Sequence, residues 1–288
     1  MPHGWLILNK AVGVTSTQAG AAVKRLFGQK KIGHAGTLDP FACGVLPLAL
    51  GEATKVMPFL MSNSKTYKFS LVFGSQTSTG DTEGEVIVTS DNRPTLKDLQ
   101  QCLSNFTGLI EQIPPTYSAI KIKGKPAYVR ARAGENVIMP PRQVEIQSLT
   151  IDSYDGEVAV LTVNCGTGTY VRTLGKDIAI FLGTVGHLTT LQRTRVGLFT
   201  IDNSISLENI RKIGDNFPQG VLLPIGTVLD DIPAVSVSLQ EAVKIRQGQV
   251  VAANKEDSLK ASAWYENRLI AVGHVVGGLF HPDRVFNI

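Results

Sequence analysis

The sequence predicts an α+β fold: a mixed, mostly antiparallel sheet flanked by helices, with a small β-barrel at the C-terminal end. Three observations predict it. Alternating strands occur in pairs, as in Val144 to Ile151 and Val158 to Cys165, joined by a turn at Asp155-Gly156. Amphipathic helices with start and stop signals fall between such strands. The last stretch, Pro233 to Ile288, holds only short strands, around Gln247 to Gln249, Ala261 to Trp264 and Leu269 to Val276. A chain of 288 residues has material for one large domain and a small one. The expected bounds are 1–213 for the large domain, 214–232 for a Gly-, Pro- and Asp-rich connection, and 233–288 for the small one.

Composition excludes several classes. The 43% hydrophobic and 18% charged content is that of a soluble globular protein and not a disordered one. No apolar run approaches the roughly 20 residues that span a bilayer, and MPHGWLILNK lacks the charged lead and cleavage site of a signal peptide. A cytoplasmic protein without membrane contact is expected. Cys43, Cys102 and Cys165 are far apart with no CxxC, and the scattered histidines build no ligand set, so neither disulfides nor a metal site is expected. Gly166-Thr167-Gly168 has no third glycine to complete a dinucleotide fingerprint, and no P-loop is present, so no nucleotide cofactor is expected. The net charge of +4 permits a polyanionic partner without demanding one.

In chain order, Trp5 to Leu8 reads as a buried strand ending at Asn9-Lys10. Thr15 to Gln18 is a capping box, followed by Ala19, Ala22, Val23 and Leu26 at helical spacing and Gly28 as the stop. Then comes KIGHAGTLDPFACGVL, Lys31 to Leu46. Asp39 is the one acid between Val12 and Gly51, in an apolar, glycine-rich run that offers a carboxylate few polar neighbours. Before Pro40 it is either a turn-starting cap or a reactive group. Thr66 to Phe73 alternates, with Tyr67, Phe69, Leu71 and Phe73 on one face. Leu96, Leu99, Leu103 and Phe106 mark a helix capped at Thr95.

Between Glu111 and Glu135 there is no acid, while Lys121, Lys123, Lys125, Arg130 and Arg132 interleave with Tyr117 and Tyr128. Basic residues with aromatics at short spacing suit a phosphate backbone carrying exposed bases, although a solvated basic strand would look similar. Further on, Gly168 to Leu174 opens a helix carried by Leu174, Ile178 and Leu182. An arginine at its start, Arg172, opposes the helix dipole. That misfit argues for a buried role, such as pairing with Asp39 to keep the carboxylate ionised in a dry pocket.

Together, GHAGTLDPFACGVLPLALGEATK, PPTYSAIKIKGKPAYVRAR, GTYVRTL and GHLTTLQRTRVGLF resemble the motifs, in order, of the bacterial TruB family of pseudouridine synthases acting at tRNA position 55. The resemblance covers roughly Leu6 to Phe199. It implies a pseudouridine synthase fold, with an RNA-clasping insertion at about 108–142 and a PUA-like RNA-binding domain at the C-terminus. It implies Asp39 as the catalytic residue, Arg172 orienting it, Tyr67 stacking on the target base, Tyr170 shaping the pocket, Leu191 closing it, and Lys10 as a support contact. His34 would lie beside the entering RNA, and Arg193 and the basic segment would contact its backbone. Gln192 stands where many relatives have an arginine. The implied reaction is cofactor-free isomerisation of a T-loop uridine, by a monomer, with the base turned out of its stack. A noncatalytic tRNA-binding factor on the same scaffold is the alternative; a zinc deaminase is disfavoured by the missing ligands.

Overall fold

The computed structural model describes residues 2–118, 120–122, 124–213 and 220–287, and leaves the side chain of Arg132 undescribed. The expectation at Lys123 therefore lies outside the described residues, as does part of the expected connection. The chain begins with β1 (Gly4–Lys10), α1 (Ser16–Leu26), β2 (Ile32–His34) and β3 (Cys43–Leu50). After a 3₁₀ turn and the short α2 (Met57–Met61) come β4 (Lys65–Phe73), β5 (Ser75–Thr77), β6 (Val86–Thr89) and α3 (Leu96–Cys102). Next are β7 (Gly108–Gln112), β8 (Lys121–Ile122), β9 (Lys125–Pro126), α4 (Ala127–Arg132), β10 (Arg142–Tyr154) and β11 (Val158–Cys165). Then follow α5 (Val171–Phe181), β12 (Gly186–Val196), β13 (Phe199–Thr200), β14 (Ile205–Ser206) and α6 (Leu207–Ile213). The C-terminal part holds β15 (Ala234–Ser236), α7 (Leu239–Arg246), β16 (Val251–Ala252), β17 (Ser258–Tyr265), β18 (Arg268–Val276) and β19 (Leu279–Val285).

The large sheet runs β14-β1-β3-β12-β4-β11-β10-β7, with β2 added on β3 and β13 on β12. Only β1 with β14 and β3 with β12 are parallel, so the sheet is mixed and mostly antiparallel, as expected. Its strands divide by burial. In β4, Tyr67, Phe69, Leu71 and Phe73 are buried while Lys68 is exposed and pairs with Asp152 at 3.0 Å, the pattern of a sheet wetted on one face. In β1 and β3 nearly every residue is buried. Leu6, Leu8, Leu46 and Leu48 face the main core with α1 and α5. Trp5, Ile7, Val45 and Ala49 face the opposite way, into a second core closed by Leu269, Val272 and Phe286 of the C-terminal part. The continuous apolar runs WLIL and VLPLAL reflect burial on both faces.

The C-terminal sheet, β15-β17-β18-β19-β16, curls around its own small core and α7. Around Gln247 to Gln249 the chain is a turn and not the expected strand. It follows α7, a helix begun by a Ser238–Glu241 capping box whose S-x-x-E pattern the sequence reading passed over. The part of the connection after residue 219 is built into the structure. Leu223 bridges to Trp5, the Trp5 indole donates to the Ile225 carbonyl at 3.1 Å, and Leu229 is buried. Lys55 Nζ donates to the Val285 carbonyl at 2.7 Å and lies over the Phe286 ring, stitching the two sheets.

Phe286 is fully buried where the two sheets meet. Truncation there leaves a cavity in both, so Phe286→Ala is expected to lower unfolding free energy by about 3–5 kcal/mol in urea titrations. A loss below about 1 kcal/mol, the scale of a surface change, would mean that the sheets do not share this core.

Candidate active site

The site forms where the large sheet splits. β12 follows β4 along nearly its whole length but touches β3 only at Gln192 opposite Cys43 and Arg193 opposite Gly44. The segment between β2 and β3 lies beside this split, with Gly36, Thr37, Leu38 and Asp39 lining one cavity with Leu191 and Arg193 of β12. Gly44 is required at the contact: its φ is +103°, and a Cβ there would collide with the Arg193 carbonyl.

The Asp39 loop is anchored on either side of the carboxylate. Arg193 is 1% exposed and donates through Nε to the Val45 carbonyl at 2.8 Å and through Nη2 to the Gly36 carbonyl at 3.0 Å. Ser16 holds Leu38 twice, accepting its N–H at 2.8 Å and donating to its carbonyl at 3.0 Å. The Pro40 carbonyl accepts from the Gly13 N–H at 2.8 Å and from Lys10 Nζ at 3.4 Å. Lys10 is also buried and donates to the carbonyls of Ala11 and Val14. Fixing the backbone at 36, 38 and 40 leaves the Asp39 side chain little freedom in direction.

Asp39 keeps 35% side-chain exposure and Arg172 only 5%, and they meet Oδ2 to Nη2 at 2.9 Å. The guanidinium is held from several sides. Nη1 donates to the Thr79 carbonyl at 2.7 Å and lies 3.4 Å from Asp81 Oδ2, and Nη2 donates to the Tyr117 carbonyl at 3.0 Å. Asp81 is itself buried, accepting from Thr79 Oγ1 at 2.5 Å and from the Glu83 N–H at 3.0 Å. Two carboxylates on one guanidinium keep the buried charges compensated.

A cavity of about 370 Å³ opens over Asp39, of the size that takes a small ligand. Tyr67, Tyr170, Leu191, Arg142 and Ser118 line it with Arg172 and Arg193. Burial raises the Tyr67 phenol above its ordinary pKa, against the pull of nearby Arg193, so the phenol stays neutral in the cavity wall. Tyr170 is set by Gln112, whose buried amide bonds both its N–H and its carbonyl. Arg142 lies over the Tyr170 ring, 4.9 Å from its centroid.

The sequence-predicted residues fall into two groups. Asp39, Arg172, Tyr67, Tyr170 and Leu191 line the cavity together, and Lys10 supports its loop. Arg193, expected to meet RNA, is a buried strut with two donors engaged by carbonyls; Gly44 admits the Arg193 backbone, and Gly36 passes beside its Nη1. His34 sits half-buried on β2, outside the cavity lining, its pKa lowered by burial and by Arg193. Lys121 and Lys125 are exposed on the β8–β9 hairpin, and Tyr117 and Tyr128 are exposed nearby. Arg130 pairs with Glu135 at 2.6 Å. Asp81, Ser16, Gln112 and Arg142 were missed. Only Asp81 left a trace, as an acid inside a Gly- and Thr-rich turn. Among the described residues no group of His, Cys, Asp and Glu could hold a metal ion, and no helix is long and apolar enough to cross a membrane.

Burial lowers the Lys10 ammonium from its ordinary 10.5 to about 8, outweighing the attraction of Asp39. Between these values the unfolded chain binds the proton and the folded chain does not, so stability rises with pH across that window. Relative to a Lys10→Met control, the wild type should gain about 2 kcal/mol between pH 8 and pH 10 in urea unfolding, at roughly 1.4 kcal/mol per pH unit. Parallel curves for the two proteins would show that the ammonium is not strained by burial.

Comparison with known proteins agrees with this geometry. The profile of the TruB family pseudouridylate synthase (N terminal domain) matches residues 24–171, and that of the tRNA pseudouridylate synthase B C-terminal domain matches residues 172–230. A tRNA pseudouridine synthase B of Bradyrhizobium diazoefficiens is 47% identical over 99% of this chain and 86% of its own length. That of Caulobacter vibrioides is 44% identical over 99% and 96%. Among solved structures, a Cbf5-Nop10-Gar1 complex has a chain that superposes with a TM-score of 0.76 over 99% of this chain and 85% of its own, at 23% identity, which speaks for the fold alone. With its cleft, its loop carboxylate and relatives this similar along nearly the whole length, the chain belongs to the TruB family of pseudouridine synthases.

Proposed function

We propose that this chain isomerises the uridine at position 55, in the T loop of tRNA, to pseudouridine, with Asp39 as the catalytic residue. The observation that carries the reading is the Asp39–Arg172 pair at 2.9 Å on one wall of a cavity that also presents Tyr67. The reaction breaks the C1′–N1 bond, turns the uracil and joins C5 to C1′. The C5 proton leaves and N1 gains one, so no electrons or phosphoryl groups are exchanged. What the protein must supply is a base held out of its stack, a placed carboxylate and exclusion of water.

Each requirement has a physical counterpart. The Tyr67 ring offers a stacking surface to offset the few kcal/mol lost on leaving the T-loop stack, with Leu191 and Tyr170 completing the apolar walls. Asp39, held at 2.9 Å from Arg172, is the group that would attack the sugar or the base or take the C2′ proton. Lys121, Lys125 and Tyr128, on the strap between β7 and β10, face solvent where an RNA backbone could lie. In this reading the protein works as a cytoplasmic monomer on the tRNA T arm, the large domain carrying the chemistry and the C-terminal sheet holding a more distant part of the RNA.

The test is tritium release from a T-arm stem-loop carrying [5-³H]uridine. Wild type is expected to release tritium, and Asp39→Asn to bind the RNA without release. Binding by both with release by neither would replace the enzyme reading with that of a tRNA-binding factor.

A further inference from the structure

The cavity lining holds two cations outside the Asp39 network, Lys65 and Arg142, and Lys65 Nζ is already engaged by the carbonyls of Met61 and Asn63. Arg172 is neutralised by two carboxylates, and Arg193 has its Nε and Nη2 engaged by carbonyls. Arg142, the first residue of β10, differs from both. Its Nη2 donates to the Gly168 carbonyl, while its Nε is buried without an acceptor. Among the described residues it forms no ion pair with a carboxylate. A half-buried guanidinium with neither counter-ion nor full hydrogen bonding is an unfavourable arrangement unless a partner arrives from outside.

The surroundings fix the chemistry of that partner. The Tyr170 ring lies under the guanidinium at 4.9 Å and holds its plane. Gly168, with φ +92°, brings its backbone against the other side, where a Cβ would stand 3.4 Å from Arg142 Cζ. A planar fork held in this way, with positive charge uncompensated, suits a tetrahedral oxyanion better than a neutral base edge. A nucleotide that puts its base on Tyr67 carries such a group on its own backbone. We infer that Arg142 binds a phosphate flanking the target nucleotide, and so anchors the RNA backbone at the cavity. The inference rests on the proposed action on RNA.

The experiment measures binding of the T-arm stem-loop by wild type, Arg142→Gln and Arg142→Lys across a salt series, with single-turnover rates at saturating enzyme. Arg142→Gln is expected to weaken binding about tenfold, with the slope of log affinity against log salt reduced by roughly 0.7 to 0.9, the value for one phosphate contact. Arg142→Lys, which keeps the charge, should restore the slope. Stem-loops with a neutral methylphosphonate on either side of the target uridine supply a second readout that needs no variant. One of them should lose about tenfold with wild type and nothing further with Arg142→Gln. Unchanged affinity and slope with a reduced rate in Arg142→Gln would overturn the inference and leave Arg142 as a support for Tyr170. Wild-type tolerance of both neutral linkages would overturn it too. Failure of the wild type to bind the unmodified stem-loop would instead remove the RNA reading beneath it.

Discussion

Everything in the cleft depends on one guanidinium. Arg172 joins Asp39 from the loop before β3, Asp81 and Thr79 from the turn after β5, and Tyr117 from the strap after β7. These segments are far apart in sequence and share no strand pairing at this point. A lysine could not replace it, because a point charge has no fork with which to meet two carboxylates and two carbonyls from different directions. The arginine starts α5, where the helix dipole is unfavourable to a cation, and the two carboxylates offset that cost.

Around this link the architecture is built to hold a loop still. The split between β3 and β12 makes the cleft, and Gly44 lets the two strands approach at its end. Arg193, Ser16 and Lys10 then fasten the loop backbone at Gly36, Leu38 and Pro40. All three anchors are buried, so their hydrogen bonds are made where water competes little. Dense apolar packing on both faces of β1 and β3 keeps the platform beneath them rigid. The loop backbone and the Arg172 guanidinium thus both fix where the carboxylate points, two constraints supplied by separate residues.

Much of this was legible in the sequence, for identifiable reasons. Alternation placed β4 and the face of Tyr67, and the capping box placed α1. The pairing of Arg172 with Asp39 could be read because each residue conflicts with its local setting. Asp81 could not be read, since an acid in a Gly- and Thr-rich turn looks solvated, and its burial is decided by the docking of α5 about ninety residues later. The burial of Arg193 could not be read either: a cation among polar strand residues looks exposed, and tertiary packing turns it inward. The helix α7 carried a capping signal at Ser238, obscured by the short strands around it.

The central claim is that Arg172 and Asp81 act as one unit to aim Asp39. A double-mutant cycle tests it most directly, with Arg172→Lys, Asp81→Asn and the pair compared by single-turnover rate on the T-arm stem-loop. If the two act through one guanidinium, the double variant should be about as slow as Arg172→Lys alone. Losses that simply add in free energy would contradict the account, and would mean that Asp81 serves the fold apart from Asp39.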